Sequence, residues 1–384
     1  MRMLGRYLLL LSMCVYCIQF CLASNYSTWT NYIEGIFNKL DMTGLGVAVV
    51  MNDSIIYQHS FGYREIPSET NSGMKLKDDD IFRIASISKT FLATVILQLE
   101  EEGRLKLADR ADKYLHFPLV NPHYPEVPIS IFHLLTHTSS LNDSQSRWDL
   151  EKIDLSSKSY NPECYSIERP GEYYQYCNLN YNLIGAIIEN ITGNNISDEV
   201  KIRILLPLNI RGSFDTEELD KNKLVKLYRY KSTINGYKEE TSAYKPFKNL
   251  STYRLGRDTG GYFNPAGGLK MSVGDLATYM MMHMHNGEID GIRLISEKDE
   301  NRMRNNYVGL HNYGLSYRQY KDIIDNYIFY GQTGGAFGLR SAMIFEPQNK
   351  IGFIIISSGS KSKYIDGYID IHRPIIKRIC SDLL

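Results

Sequence analysis

The sequence predicts an α+β fold in which strands from both ends of the chain form one antiparallel sheet. Two apolar runs near the start, Gly46–Met51 and Ile55–Phe61, are separated by a short polar turn and predict a hairpin. Two runs near the end, Arg340–Phe345 and Ile351–Ser357, predict a second hairpin. Together with Tyr327–Tyr330, they predict an antiparallel sheet of about five strands that is flanked by helices.

A mostly helical lobe is predicted between these strands. Over residues 83–309 the apolar residues recur mainly with helical spacing, whereas residues 24–82 and 310–384 contribute to an α/β lobe. The sequence shows no linker and no internal repeat. We therefore expect one domain with two lobes over residues 24–384.

Local signals mark several helix boundaries. The helix that follows Lys89 carries an apolar stripe and should end near Gly103, because glycine readily terminates helices. Ser272, three residues before an acidic residue, predicts the start of another helix. The segment 364–384 predicts a final helix, with a kink at Pro374.

Composition excludes some classes of partner. The chain has 43 basic and 43 acidic residues and no basic run, so nothing favours nucleic acid or an anionic membrane surface. Its 29 tyrosines leave open an association with an extracellular matrix.

The N-terminal segment predicts export. Arg2 and Arg6 are followed by mostly apolar residues 7–22, and Ala23 is a small residue at a plausible cleavage site. Residues 1–23 are therefore interpreted as a signal peptide and the protein as secreted, with an uncleaved signal anchor as the alternative. Six N-x-[ST] sequons agree with export. They are at Asn25, Asn52, Asn142, Asn190, Asn195 and Asn249.

Three cysteines follow the predicted signal peptide. Cys164 and Cys177 are close in sequence, and we expect them to form a disulfide that staples the intervening loop. The alternative is that these two and Cys380 are three buried thiols.

The most informative motif is Ser86-Ile87-Ser88-Lys89. Residues three apart share one face of a helix, so the Lys89 amine could remove the proton of the Ser86 hydroxyl. Serine is a weak nucleophile until a neighbouring base activates it. The same S-x-x-K pattern occurs four more times, but only the one at Ser86 is followed by an apolar helix.

Two later segments strengthen this interpretation. Tyr176-Cys177-Asn178 precedes an amphipathic helix. The run Gln332-Thr333-Gly334-Gly335 lies in a glycine-rich strand between apolar stretches. Such a strand lets a backbone N–H approach a substrate closely, as an oxyanion hole requires.

With these motifs in this order, the chain resembles the serine β-lactamase and penicillin-binding-protein superfamily, on the side of class C enzymes, related esterases and D-aminopeptidases. Residues 134–141 are similar to the L-L-T-H-T-S-G-L segment of that family, and residues 265–269 to its second glycine-rich landmark. The resemblance spans about residues 30–384 and implies a β-lactamase/transpeptidase-like fold.

The resemblance also implies a role for each residue. Ser86 would attack a carbonyl and become acylated, while Lys89 and Tyr176 would carry the proton. Asn178 would hold Lys89 and the substrate. The N–H groups of Ser86 and Gly335 would form the oxyanion hole, beside a strand that includes Thr333 and Gly334. For this, the pKa of Lys89 must lie below its free value of about 10.4.

Gln332 departs from the family, which usually has lysine or histidine there. Because glutamine carries no charge, we expect weak activity on carboxylate-bearing substrates and favour a neutral, small-molecule or peptide-like ester or amide. The departure also supports the alternative of a catalytically weak or inactive extracellular protein that keeps the fold.

No metal or cofactor is expected. His133 and His137 are spaced like metal ligands, but no glutamate follows His133, and the resemblance assigns His137 to a structural segment. The chain has no phosphate-binding loop of the G-x-x-x-x-G-K-[ST] type.

Overall fold

The computed structural model describes residues 25–244, 264–365 and 368–384. The predicted signal peptide and the sequon at Asn249 lie outside the described residues. The helices are α1 (residues 25–39), α2 (Ser88–Glu101), α3 (Ile131–Leu135), α4 (Asn178–Thr192), α5 (Ile196–Val200), α6 (Val273–Met284), α7 (Glu297–Arg304) and α8 (His372–Leu383). The longer strands are β1 (Gly44–Met51), β2 (Ser54–Glu65), β6 (Tyr228–Lys231), β7 (Gly236–Glu239), β12 (Phe329–Ala336), β13 (Leu339–Glu346) and β14 (Ile351–Gly359). The shorter strands are β3 (Met74–Lys75), β4 (Phe82–Arg83), β5 (Gly212–Ser213), β8 (Lys270–Met271), β9 (Glu288–Ile289), β10 (Ile292–Arg293), β11 (Arg318–Tyr320), β15 (Tyr364–Ile365) and β16 (Tyr368–Ile369).

The main sheet is antiparallel and has the strand order β11-β12-β13-β14-β1-β2-β3. Both predicted hairpins, β1–β2 and β13–β14, are confirmed. The predicted number of five strands is wrong, because the sheet in the described part of the chain has seven. The additional strands β3 and β11 have two and three residues, too few to produce an apolar alternation in the sequence.

The two ends of the chain meet in the centre of this sheet, where Val47 of β1 lies opposite Ile355 of β14. One face packs against α1 and α8, through residues such as Trp29 and Ile375. The other face packs against α6, and the Phe91 ring of α2 stacks on Tyr279 of that helix. Because both faces are covered, β1 is a nearly continuous apolar run rather than an alternating one.

Helix α2 packs against α4, α5 and α6 and is buried on almost every side. A single 3-10 turn, Ala85–Ile87, precedes it, and Gly103 follows it with φ +73°. The predicted N-cap of α6 is confirmed, because the Ser272 hydroxyl accepts from the Asp275 N–H at 3.1 Å. Within the described ranges, none of the helices combines the length and apolar character of a membrane span.

The predicted C-terminal helix is wrong at its start. Residues 364–369 contain the short strands β15 and β16, and α8 begins only at His372. Pro374 is the third residue of α8. A proline in the first helical turn removes no intrahelical hydrogen bond, so the predicted kink does not arise.

The predicted disulfide between Cys164 and Cys177 is also wrong. Both are free, buried thiols, as is Cys380. The Cys177 thiol donates to Asp143 Oδ1 at 3.2 Å, and Cys164 lies in a separate 3-10 turn. Their nearness in sequence therefore does not bring their sulfur atoms together.

Candidate active site

Ser86 lies on a strained turn at the base of α2. Ala85, just before it, has φ +49°, a conformation that costs a non-glycine residue about 1–2 kcal/mol. The turn is held by hydrogen bonds from the Ile84 N–H to Leu269 O at 3.0 Å and from the Ser88 hydroxyl to Ala85 O at 2.7 Å. Ser86 itself is half-buried. The fold thus fixes its hydroxyl while leaving it accessible.

Lys89, one turn further on, is completely buried, with its amine among three oxygen atoms. Its Nζ lies 3.1 Å from Ser86 Oγ, 2.9 Å from Asn178 Oδ1 and 2.7 Å from Ala266 O. The last two oxygens can only accept. A neutral amine would donate to both and direct its lone pair at the Ser86 hydroxyl.

The surroundings of Lys89 favour that neutral form. Burial lowers its pKa to about 7, although the Asp143 carboxylate and the Cys177 thiol act in the opposite direction. Near neutral pH, a substantial fraction of Lys89 is therefore able to accept a proton.

Tyr176 completes the group. Its phenol interacts with the Ser86 side chain, and its ring centroid lies 5.0 Å from Lys89 Nζ. Although 37% of the residue is exposed, burial of the phenol raises its pKa above the ordinary value; Tyr174 and Tyr181 add to this shift, and the interaction with Ser86 opposes it. Tyr176 therefore remains protonated and can relay a proton without being a tyrosinate.

Asn178 is the first residue of α4, and its amide is held from two sides. Nδ2 donates to Asp143 Oδ2 at 2.6 Å, which directs Oδ1 at Lys89. One turn later, Asn182 Oδ1 accepts from the Ala266 N–H at 3.1 Å, fixing the peptide segment whose carbonyl contacts Lys89. The same face of α4 thus supports two of the three oxygens around the amine.

Sequence reasoning missed Asp143, Asn182 and the Ala266 carbonyl. Asp143 lies within the Asn142 sequon and directly follows the family-like segment 134–141. This location is the sequence signal that could have identified Asp143. A backbone carbonyl leaves no trace in a sequence.

Strand β12 approaches the Ser86 turn through Gly334. A Cβ at residue 334 would be 2.9 Å from both Ala85 Cβ and Ile84 O, and 2.5 Å from Ser341 Oγ. The Thr333 N–H donates to Gln332 Oε1 at 3.1 Å. Because alternate N–H groups point to the same side of a strand, the Gly335 N–H lies on the same side of β12 as the Thr333 N–H.

Gln332 is buried, with all its polar atoms engaged by the protein. Its Nε2 donates to Tyr313 Oη and to Ser316 O, both at 3.0 Å. The Tyr313 ring lies 5.2 Å from the His137 ring, which lies 4.4 Å from the ring of Tyr176. Gln332 is thus connected to Tyr176 through aromatic side chains and brings no charge.

A cleft of about 680 Å³ exposes Ser86, Tyr176 and Asn178 to solvent. It is lined by Ser86, Asn142, Asp143, Ser144, Arg147, Gln175, Tyr176, Asn178 and Gly335. Lys89, Gln332 and Thr333 are not part of its wall. A separate cavity of about 350 Å³, bordered by residues such as Leu205 and Arg211, contains none of the motif residues.

The histidines considered as metal ligands have other partners. His133 Nδ1 accepts from the Ser130 N–H at 3.3 Å, and His137 Nδ1 accepts from the Cys177 N–H at 3.2 Å. Over the described residues, no three His, Cys, Asp or Glu side chains gather in a way that could hold a metal ion.

The described sequons differ in accessibility. Asn52, in the β1–β2 turn, is the exposed one, while Asn25 is partly buried. The side-chain Nδ2 groups of Asn142, Asn190 and Asn195 donate to Glu163 O, Tyr114 O and Asp198 Oδ2. A glycan at Asn142 would also lie in the cleft.

Comparison with known proteins identifies the family. A profile described as Beta-lactamase matches residues 29–369, so the chain belongs to the beta-lactamase family. Penicillin-binding protein 4* from Bacillus subtilis (strain 168) is 36% identical over 182 residues, which are 45% of this chain and 38% of that protein. The chain spans well under half the length of the curated relatives it matches.

Solved structures show the fold. D-amino acid amidase from Ochrobactrum anthropi SV3 has a TM-score of 0.69 and 20% identity, covering 93% of this chain and 99% of its own. EstCE1, a hydrolase with promiscuous acyltransferase activity, has a TM-score of 0.67 and 18% identity, covering 94% and 98%. The predicted β-lactamase/transpeptidase-like fold is confirmed.

Replacing Gly334 with alanine should separate β12 from the Ser86 turn. We expect unfolding to become easier by about 1–3 kcal/mol, as overpacking usually causes. The reaction of Ser86 with a fluorophosphonate should slow about 100-fold, since a shift near 1 Å can have that cost. Thermal unfolding and labelling rates measure both effects.

Gly35→Ala is the matched control. Gly35 is exposed in α1, and a Cβ there would meet nothing within 4 Å. This variant should react normally and gain about 0.5–1 kcal/mol of helix stability. If Gly334→Ala has wild-type stability and a wild-type labelling rate, the close approach of β12 to the Ser86 turn is unimportant.

Proposed function

We propose that this chain is a secreted serine hydrolase that cleaves neutral esters or amides through an acyl-enzyme. The observation that carries the proposal is the position of Lys89 Nζ, 3.1 Å from Ser86 Oγ and fixed by two acceptors that leave its lone pair for the hydroxyl. The basic and apolar pattern of residues 1–23 supports export.

In the first step, Ser86 Oγ attacks the substrate carbonyl carbon while neutral Lys89 accepts the hydroxyl proton. A new C–O bond forms, and the carbonyl electron pair moves onto oxygen. The N–H groups of Ser86 and Gly335 are proposed to stabilise this oxyanion, because Gly335 lies in the same cleft wall as Ser86.

In the second step, the tetrahedral intermediate collapses and the bond to the leaving group breaks. Tyr176 is proposed to donate its proton to the leaving alcohol or amine and to regain one from protonated Lys89. This relay suits a phenol that shares the cleft wall with Ser86 and whose raised pKa keeps it protonated. A water molecule then attacks the acyl carbon by the same route, releasing the acid and restoring Ser86.

The preference for neutral substrates follows from Gln332. Where the family usually has a cation, this chain has a buried amide whose donors are bound to Tyr313 Oη and Ser316 O. Arg147 lines the cleft, but it is exposed, and water and salt screen its charge. The D-amino acid amidase and the hydrolase with promiscuous acyltransferase activity, which have similar folds, support an ester or amide as the substrate.

A fluorophosphonate probe tests the proposal, because it phosphonylates activated serines. Wild-type protein should be labelled on Ser86, and Ser86→Ala should lose all labelling. Ser72→Ala is the control, since Ser72 belongs to another S-x-x-K pattern but lies exposed, two residues before β3. Folded wild-type protein that stays unlabelled would instead favour the non-catalytic extracellular protein.

Replacing Gln332 with lysine should shift the substrate preference. A lysine amine could donate to the same Tyr313 and Ser316 oxygens and would add a positive charge near the cleft. We expect kcat/KM for a carboxylate-bearing amide to rise about 10-fold or more relative to a neutral ester, the value of a charge-assisted hydrogen bond. Gln332→Met, which adds no charge, should give no such rise. Equal ratios in the lysine and methionine variants would contradict this account.

A further inference from the structure

Asp143 lies beside the catalytic group but does not belong to any of the three motifs. Its loop is fixed independently of the site. Asn142 Nδ2 and Ser144 Oγ both donate to Glu163 O at 3.0 Å, and the Asn142 N–H donates to Cys164 O at 2.9 Å. The Asp143 carboxylate is therefore held in place by a separate part of the helical lobe.

This carboxylate caps the first turn of α4. It accepts from the Asn178 N–H at 2.8 Å and from the Leu179 N–H at 3.2 Å. The N-cap residue itself, Cys177, makes no side-chain capping bond and donates its thiol to the same carboxylate. A negative charge at a helix N-terminus satisfies free N–H groups and is favoured by the helix dipole.

The same carboxylate determines how the Asn178 side chain is oriented. Asp143 accepts only, so the Asn178 nitrogen must face it, at 2.6 Å, and the Asn178 oxygen must face Lys89 Nζ, at 2.9 Å. A rotated amide would place two donors, Nδ2 and the lysine amine, against each other.

We propose that Asp143 is a positioning residue that acts through Asn178: it fixes the start of α4 and orients the Asn178 amide so that its oxygen holds the Lys89 amine. This inference rests on the proposed function for its kinetic consequence, but the geometry that it describes is independent of turnover.

Asp143 also acts on the charge of Lys89. The charged or titratable groups around the amine come from several segments: Asp143, His137, Tyr176, Cys177 and Tyr181. Burial keeps His137 neutral by lowering its pKa, and the phenols and the thiol stay protonated because their pKa values are raised. Asp143 is thus the charged group that stabilises protonated Lys89.

Asp143→Asn in the full chain tests the proposal by NMR. With 13Cε-labelled lysine, the Lys89 signal is identified by its loss in Lys89→Met and should titrate at about pH 7 in wild type. Removing the Asp143 charge and rotating the Asn178 amide both disfavour the ammonium form, so the midpoint should move to lower pH. Lys270, another buried lysine with a pKa of about 7, lies near Arg83 and Asp215 and should not move.

A double-mutant cycle provides the kinetic test. Asp143→Asn should slow fluorophosphonate labelling about 10- to 100-fold, the usual cost of losing a partner that orients a reactive group. If Asp143 acts through Asn178, the loss should nearly vanish in an Asn178→Ala background. Asp149→Asn is the matched control, because that carboxylate caps a 3-10 turn in the same lobe.

The outcomes separate this inference from the proposed function. An unlabelled wild type would overturn the proposed function, while the lysine titration would still decide on Asp143. A folded Asp143→Asn protein with an unmoved Lys89 midpoint, or with equal slowing in both backgrounds, would overturn the inference. If Asp143→Asn fails to fold, Asp143→Ser keeps an acceptor for the α4 N–H groups, removes the charge and should give the same shift.

Discussion

The burial of one amine, that of Lys89, is the constraint on which the rest of the site depends. Water is excluded from Nζ, and its neighbours are three oxygens that the fold holds at hydrogen-bond distance. Taking an ammonium group out of water is costly, and the neutral form avoids that cost. Because burial destabilises the charged form and lowers the pKa of Lys89, the neutral amine is available to accept a proton near neutral pH.

Each oxygen around the amine comes from a different part of the fold. Ser86 is supplied by the strained turn before α2, Asn178 by the start of α4, and Ala266 O by the segment that leads to β8. The sheet completes the arrangement, since β12 reaches the Ser86 turn only because residue 334 has no side chain. The site is therefore a junction of helices and the main sheet, and the strain at Ala85 is held by contacts on each side.

How far the sequence predicted this site depends on how local each contact is. Ser86 and Lys89 are one helical turn apart, so their spacing alone predicted that they meet. Tyr176 and Asn178 are far away in sequence, and it was the resemblance to a known family that placed them nearby. Asp143 and Ala266 O act through tertiary contacts that no spacing rule describes. The Cys164–Cys177 prediction failed for the related reason that nearness along a chain says little about the direction of side chains.

The pH dependence of serine phosphonylation in the wild-type protein tests the central claim most directly. Protonated Lys89 cannot accept the Ser86 proton, so the labelling rate should be low at about pH 5 and rise through about pH 7. It should then stay level to about pH 9, because the raised pKa of Tyr176 keeps its proton in place. A rate that is independent of pH across this range, or that falls as Lys89 loses its proton, would contradict the account.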